Sequence, residues 1–550
     1  MTRKYVLTVA ALAAMSFTVG CEMVNVLHPV SRSVGSGVAP PTAAPHRTLD
    51  PPSRAIRASY LEGAVSFQAA GTETWARAEL NRPVAEGDGL WTDGGARAEL
   101  HLGSAAIRMD SRTRLDFLTF DDWITQARIT QGVVDVTVRR LAAGEALEID
   151  TPNAAITFLQ PGQYRLDVQP EIDSTFVTAR SGDADVSGTR VDFTVHAGQR
   201  ANISGPDAVE YGIAGAIAPD PFDEFCQMRD RREDASASAQ YVAPDTIGTY
   251  DLDDFGAWRM DAKWGAVWTP TGLGAGWAPY RFGHWAWVEF WGWTWIDDAP
   301  WGFAPFHYGR WILLDGAWSW IPGPGHVRPV YAPALVVFVG GGGHGFHYFF
   351  WIGSAGVAWF PLGPGEVYVP PYRCSPSYLA NINMTYTVIE HQPFAGAMTA
   401  VPRQVFVRGQ EVADARKEIS PRQLALARVN GSAPPVAPVE LSLSPRRDRF
   451  VLEPPEMNPN LTIVGRRDPA PRPVPFGQRQ MALNAHPGRP LEQSEEQSQK
   501  RSDVRPARRG LLEQSFVPLE PQGTSKEAAR ERDSDARRAR EIQREMRRSR

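Results

Sequence analysis

The sequence predicts an all-β protein: a β-sandwich or roll, then a second module of tryptophan-rich β-hairpin repeats, with disordered termini. Three observations carry the prediction. Short stretches between Tyr60 and Gly205 alternate apolar and polar residues and are separated by glycine turns. Fifteen of the 18 tryptophans fall between Trp258 and Trp359, many as W-x-W pairs beside glycines. The 46 prolines and 49 glycines favour turns and linkers over long helices.

In the first region the segments "GAVSFQ", "ARAELHLG", "AAIRMD", "TRLDFL", "QARITQG", "VVDVTVRR" and "QYRLDV" read as strands. In "ARAELHLG" the residues Ala98, Leu100 and Leu102 share one face, and Arg97, Glu99 and His101 share the other, as in a strand with one buried side. Gly71, Gly87, Gly103, Gly132, Gly144, Gly162 and Gly182 mark the turns.

The second region contains an internal repeat. "WAPYRFGHWAWV" at 277–288 aligns with "FAPFHYGRWILL" at 303–314, and "GWTWID" at 292–297 resembles "AWSWIP" at 317–322. Trp285 and Trp287 are two apart and face one side of a strand; Trp293 and Trp295 do the same on the next. A hairpin joining them pairs the four rings across the strands. Two uses fit this spacing. Interlocked indoles can replace an aliphatic core, or a row of indoles can stack on sugar rings. Candidates for a stacking surface are Trp285, Trp287, Trp293, Trp295, Trp311, Trp318, Trp320, Tyr280 and Tyr308, with Phe306, Arg281 and Arg310 at the edges.

Both ends read as unstructured. Arg3 and Lys4, the apolar run "YVLTVAALAAMSF" and "TVGC" form an export signal over 1–21, shorter than a membrane span. Small residues before Cys21 resemble a bacterial lipobox, which implies lipidation of Cys21 and anchoring to a membrane; Thr18 departs from the usual leucine, leaving ordinary cleavage as the alternative. Glu22 is not the aspartate associated with inner-membrane retention, so an outer-membrane lipoprotein facing the periplasm is expected. Residues 22–55 form a proline-rich tether, 207–240 a connector with a short helix placing Phe222, Phe225 and Met228–Arg229 at helical spacing, and 391–550 a largely disordered Pro/Arg-rich tail with a basic end from Lys526. Cys226 and Cys374 are either a disulfide pair or two isolated thiols.

The stretch 56–206 resembles the FecR domain, through "LEGAVSF", "LGSAAIRMDSRTRLDF", "ARITQGVVDVTV", "LEIDTPNAAITFLQPGQYRLDV" and "ARSGDADVSG…VDFTVHAGQRANISG". That resemblance implies a periplasmic β-rich module, best described in regulators relaying iron–siderophore signals. With the export signal at the start of the sequence, no cytoplasmic segment is expected before it, so iron signalling is not carried over. Residues 241–390 resemble a Trp-rich domain of unknown function that commonly follows FecR domains in envelope proteins, through "YVAPDTIGTYDLDDFGAW", the repeat above, "RPVYAPALVVFVGG" and "AWFPLGPGEVYVPPYRCSPSYLANIN".

Chemistry is sparse. Adjacent Asp297 and Asp298 face opposite ways on a strand and do not pair as acid and base; Glu289 and Asp315 are near them only in sequence. His344 and His347 follow four glycines, without the helix a paired-histidine site would use. There is no HExxH, Gly-x-Ser-x-Gly or dinucleotide motif. The expectation is a non-enzymatic binding or scaffolding module with no cofactor and no metal. Its expected partner is peptidoglycan, another envelope glycan or an envelope protein; the net charge of −5 favours no nucleic acid. The alternatives are a FecR-like sensing component acting through a membrane partner and a glycan-processing enzyme.

Overall fold

A computed structural model describes residues 50–188, 190–205, 210–339, 356–383, 396–419, 429–431, 433–444, 451–456, 461–491 and 516–518. The export segment, Cys21, most of the tether, His344, His347 and the basic end lie outside these residues. The protein is all-β. No helix among the described residues is long and apolar enough to cross a membrane.

The first module is organised by one long strand, Ile124–Val138. Its first half pairs with Thr113–Phe120 and, in parallel, with Ala146–Asp150; its second half pairs with Ala105–Met109 and Gly162–Gln169. A straight strand of 15 residues would span roughly 45–50 Å. The seven residues from Arg139 to Glu145 reach only about 25 Å, so the parallel return is geometrically allowed only if the strand bends. It bends where it changes partners. Gly132 has φ +95°, and a Cβ there would lie 2.4 Å from Thr113 Oγ1 and 2.6 Å from Arg112 O. Only glycine fits this corner. Leu100, Ile107, Leu115, Ile129, Val136 and Leu166 fill the interior, each fully buried.

The connector helix runs Pro221–Asp234, capped by Asp220, which accepts from the Phe222 and Asp223 amides, with Pro221 in the first turn. Phe222, Phe225, Cys226 and Arg229 turn inward onto Tyr60 and Val133, whereas Met228, expected on the same face, is exposed. The helix covers the face of Arg97–His101 that alternation assigned to solvent: Glu99 and His101 are buried. A strand pattern reports which residues share a face, not what arrives later to cover it. The same helix encloses Cys226, and Cys374 sits half-buried before the helix Pro376–Asn383, so the two cysteines are free thiols and not a pair.

Among the described residues, the tryptophan module contains three tight hairpins with paired tryptophans where the sequence indicates two. Gly283–Val288 pairs with Gly292–Asp297, placing Trp285 opposite Trp295 and Trp287 opposite Trp293. Arg310–Leu314 pairs with Ala317–Ile321, placing Trp311 opposite Trp320. Gly256–Asp261 pairs with Gly265–Pro270, placing Trp258 opposite Trp268. Each hairpin begins on or beside a glycine lying against an indole of the returning strand. A Cβ on Gly256 would meet Trp268 at 2.4 Å, on Gly283 would meet Trp295 at 2.9 Å, and on Gly309 would meet Trp320 at 2.6 Å. The hairpins 256–270 and 310–321 join in one four-stranded sheet through Trp268 and Trp320. Equivalent positions of the repeat also touch: the Tyr280 hydroxyl donates to Phe306 O at 2.7 Å, with the rings at 90°.

A further sheet orders Thr399–Pro402, Gly356–Pro361, Val336–Val339 and Val429–Gly431. Parts of the C-terminal third thus pack on the two modules. Val436 O accepts from Trp293 Nε1, Val464 bridges Thr151, and Arg479 on the helix Phe476–Ala485 pairs with Glu289. The last residues of the tether fold as well, with Arg54 and Ala55 buried and Asp50 accepting from Ser375.

Candidate functional site

The aromatic cluster is closed. Trp285, Trp287, Trp293, Trp295, Trp311, Trp320, Tyr280 and Tyr308 are all 5% exposed or less, and Trp318 is half-buried. Trp285 meets Trp295 at 5.5 Å, and Trp287 meets Trp293 at 5.5 Å, both edge to face. The edges are occupied too. Arg281 donates to Gly276 O and Met398 O, Arg310 donates to Glu366 O and Asn383 Oδ1, and Phe306 is fully buried. Apart from the half-buried Trp318, no ring in this set presents a free face to a sugar. The stacking assignment is therefore corrected to core, because Phe338, Trp359 and Phe406 cover the indoles the hairpin would otherwise expose.

The carboxylates considered for glycan chemistry do not converge. Asp297 is buried, accepting from Trp295 Nε1 at 3.0 Å and from the Ala299 amide; its burial pushes the carboxyl well above the usual range. Asp298, the first residue past the strand, is exposed. Glu289 is engaged by Arg479, and Asp315 is a surface partner of Arg259.

Polar side chains concentrate instead in two buried seams. In the first, Arg57 of the first module is fully enclosed. It donates to Asn81 Oδ1, to Asp251 Oδ2 at 2.5 Å and to Pro300 O at 2.9 Å, while Asn81 Nδ2 donates to Asp297 O and Ala299 O. His284 Nε2 faces Glu79 Oε2 at 3.2 Å across the same seam. These contacts join the two modules through groups that each need a partner once buried.

The second seam lies under the connector helix. Both oxygens of Glu99 are saturated: Oε1 accepts from Ser59, Arg229 and Tyr250, and Oε2 from Arg108 and Arg229. Burial alone would raise this carboxyl, but Arg229 and Arg108 outweigh it and hold it well below the usual range. Arg108 also donates to Asp230 at 2.8 Å and stands 3.7 Å from Asp135. Beside this seam a cleft of about 190 Å³ is lined by His101, Arg139, Glu233, Asp234 and Tyr250 among others.

Asp135 supplies a pH test. Burial pushes its carboxyl up to about 7; Arg108 only partly offsets this, and Asp230 and Asp223 add to it. In the unfolded chain an aspartate titrates near 3.9. The folded state thus holds the proton more tightly, so this contribution to stability is complete below pH ~4 and is lost as pH rises to about 7. Each pH unit that separates the folded and unfolded titrations is worth about 1.4 kcal/mol. Asp135→Asn, which never ionises, is therefore expected to raise stability by roughly 2–4 kcal/mol at pH 8 and to change it little at pH 4. Urea unfolding at the two pH values measures the difference, and an equal effect at both would refute the assignment.

A family of unknown function, DUF6600, matches residues 249–366, the stretch holding the hairpins. Two crystal structures of a putative anti-sigma factor from Parabacteroides distasonis ATCC 8503 align with 24% of this chain at 13% and 14% identity and a TM-score of 0.22. The chain spans 60% of the length of those structures, and their role is not transferred to it. No curated protein matches.

Proposed function

We propose that this chain is a non-enzymatic module of the bacterial cell envelope, exported, anchored by a lipid on Cys21, and used to hold a protein partner. In this reading residues 56–206 are a FecR-like module, on the order of their motifs, and the tryptophan hairpins are the rigid body joined to it. One observation carries the reading: the rings suited to glycan stacking are enclosed, so recognition falls to what remains exposed. The connector opens with a strand, Glu210–Gly215, that extends the first module's sheet, is exposed along its whole length and pairs only with Gln199–Ser204 among the described strands. Tyr211 and Ile213 stand out from it, with Tyr211 stacked on Phe193 at 4.3 Å. An unpaired edge with apolar side chains is suited to strand addition by a protein.

A photo-crosslinking residue at Tyr211 is expected to trap one discrete protein in intact cells, and the same residue at exposed Met260 is expected not to. Identical patterns at both positions, or saturable binding of the purified chain to peptidoglycan sacculi, would overturn the reading.

A further inference from the structure

His284, Asp298 and Glu411 come from distant parts of the chain, yet one ligand atom of each lies within 4.8 Å of the others. Among the described residues no other such triad occurs. The histidine is what distinguishes this cluster from a chance group of acids. It is 1% exposed, its Nε2 faces the Glu79 carboxylate, and its Nδ1 is buried without a hydrogen-bond partner among the described residues. A carboxylate on one ring nitrogen fixes the tautomer and presents the lone pair of the other, which is the arrangement behind a metal-bound imidazole. A ring nitrogen left dry and unpaired costs stability unless something occupies it.

We propose that His284 Nδ1, Asp298 and Glu411 bind a divalent transition-metal cation of the zinc type, with Glu79 as the carboxylate that orients the histidine. One imidazole and two carboxylates match the nitrogen and oxygen preference of such an ion, and their two negative charges match its charge. Three protein ligands leave a fourth position for water. Ligands about 2.0–2.2 Å from a tetrahedral ion sit roughly 3.3–3.6 Å apart, so the triad closes by about 1 Å on binding. The side chains that must move are the less enclosed ones: Asp298 is exposed and Glu411 half-buried, while His284 stays in place. Their exposure also provides the entry path. The ion would pin three segments together, since Glu79 belongs to the first module, His284 and Asp298 to the central hairpin, and Glu411 to the chain just before the helix Val412–Ala415.

The test uses the full chain, stripped with chelator and titrated with Zn²⁺, with Co²⁺ absorption as the report of nitrogen and oxygen ligation. One equivalent is expected to bind and to raise the thermal midpoint. His284→Gln disturbs a buried side chain and is uninformative if it unfolds, so the decisive variants are Asp298→Asn and Glu411→Gln. Each is expected to weaken Zn²⁺ at least about tenfold, Glu79→Gln about 10–100-fold, and surface Asp315→Asn not at all. No bound metal in the folded wild-type chain, or unchanged affinity in the D298N/E411Q double variant, would overturn the proposal.

Discussion

Trp285→Ala is expected to cost about 3–5 kcal/mol of stability, enough to unfold a marginal module. The ring meets four others: Trp295 across the hairpin at 5.5 Å, Phe338 at 5.1 Å, Trp359 at 5.3 Å and Phe406 at 5.3 Å. These neighbours come from separate strands and the helix Arg403–Val407, and none can move into the space without leaving its own contacts. The loss is therefore transfer energy plus an uncollapsed cavity. Denaturant unfolding followed by tryptophan fluorescence measures it, and Trp123→Ala, removing a ring that is 47% exposed, is expected to cost under about 1 kcal/mol. Trp285→Phe separates shape from hydrogen bonding. Trp285 Nε1 has no partner among the described residues, so phenylalanine should be tolerated far better than alanine, whereas Trp295→Phe also forfeits the bond to Asp297. A Trp285→Ala chain as stable as wild type would return the ring to the surface and reopen glycan stacking.

Local geometry was legible in these residues, and coverage was not. Two-residue spacing is enough to place Trp285 and Trp287 on one face. It cannot say whether that face is dry, because the rings that dry it, Phe338, Trp359 and Phe406, arrive from far along the chain. The 26-residue repeat exposed two hairpins because their flanking motifs align. The third, built on Gly256 and Trp268, keeps the glycine-under-indole contact but loses the flanking sequence, so only the packing reveals it. Glu99 and His284 were hidden for a related reason. A charged residue at alternate positions of a strand reads as solvated until an element such as the connector helix, or a neighbour such as Glu79, closes over it.

Glu99→Gln tests the seam that this covering creates. Five donors converge on the carboxylate from the first-module sheet, the connector helix and Tyr250, where the tryptophan region begins. An amide keeps the shape, but at either oxygen position its two hydrogens would face an arginine N–H that can only donate, and Arg229 loses the carboxylate it pairs with. Breaking one partner of a buried ion pair typically costs about 3–5 kcal/mol, because the remaining charge stays dry. Arg108 keeps Asp230 at 2.8 Å, so the damage should fall mainly on the connector helix. Cys226 reports it directly, since its thiol is buried beneath that helix and reacts only when the helix lifts. In a chain with Cys21 and Cys374 replaced by serine, thiol labelling of Glu99→Gln is expected to run on the order of 10²–10³-fold faster than in the parent, following the lost free energy at about 1.4 kcal/mol per decade. The carboxyl's pKa is held low, so its contribution is complete above the unfolded value near 4.3 and is lost only as pH falls through the folded one. Relative to an exposed thiol at the same pH, the parent should therefore label slowly at neutral pH and lose that protection in acid, and Glu99→Gln should already have lost it at neutral pH with little further change. A variant that labels at the parent's rate would mean that the helix is held without Glu99, by Phe222, Phe225 and ion pairs such as Arg108–Asp230.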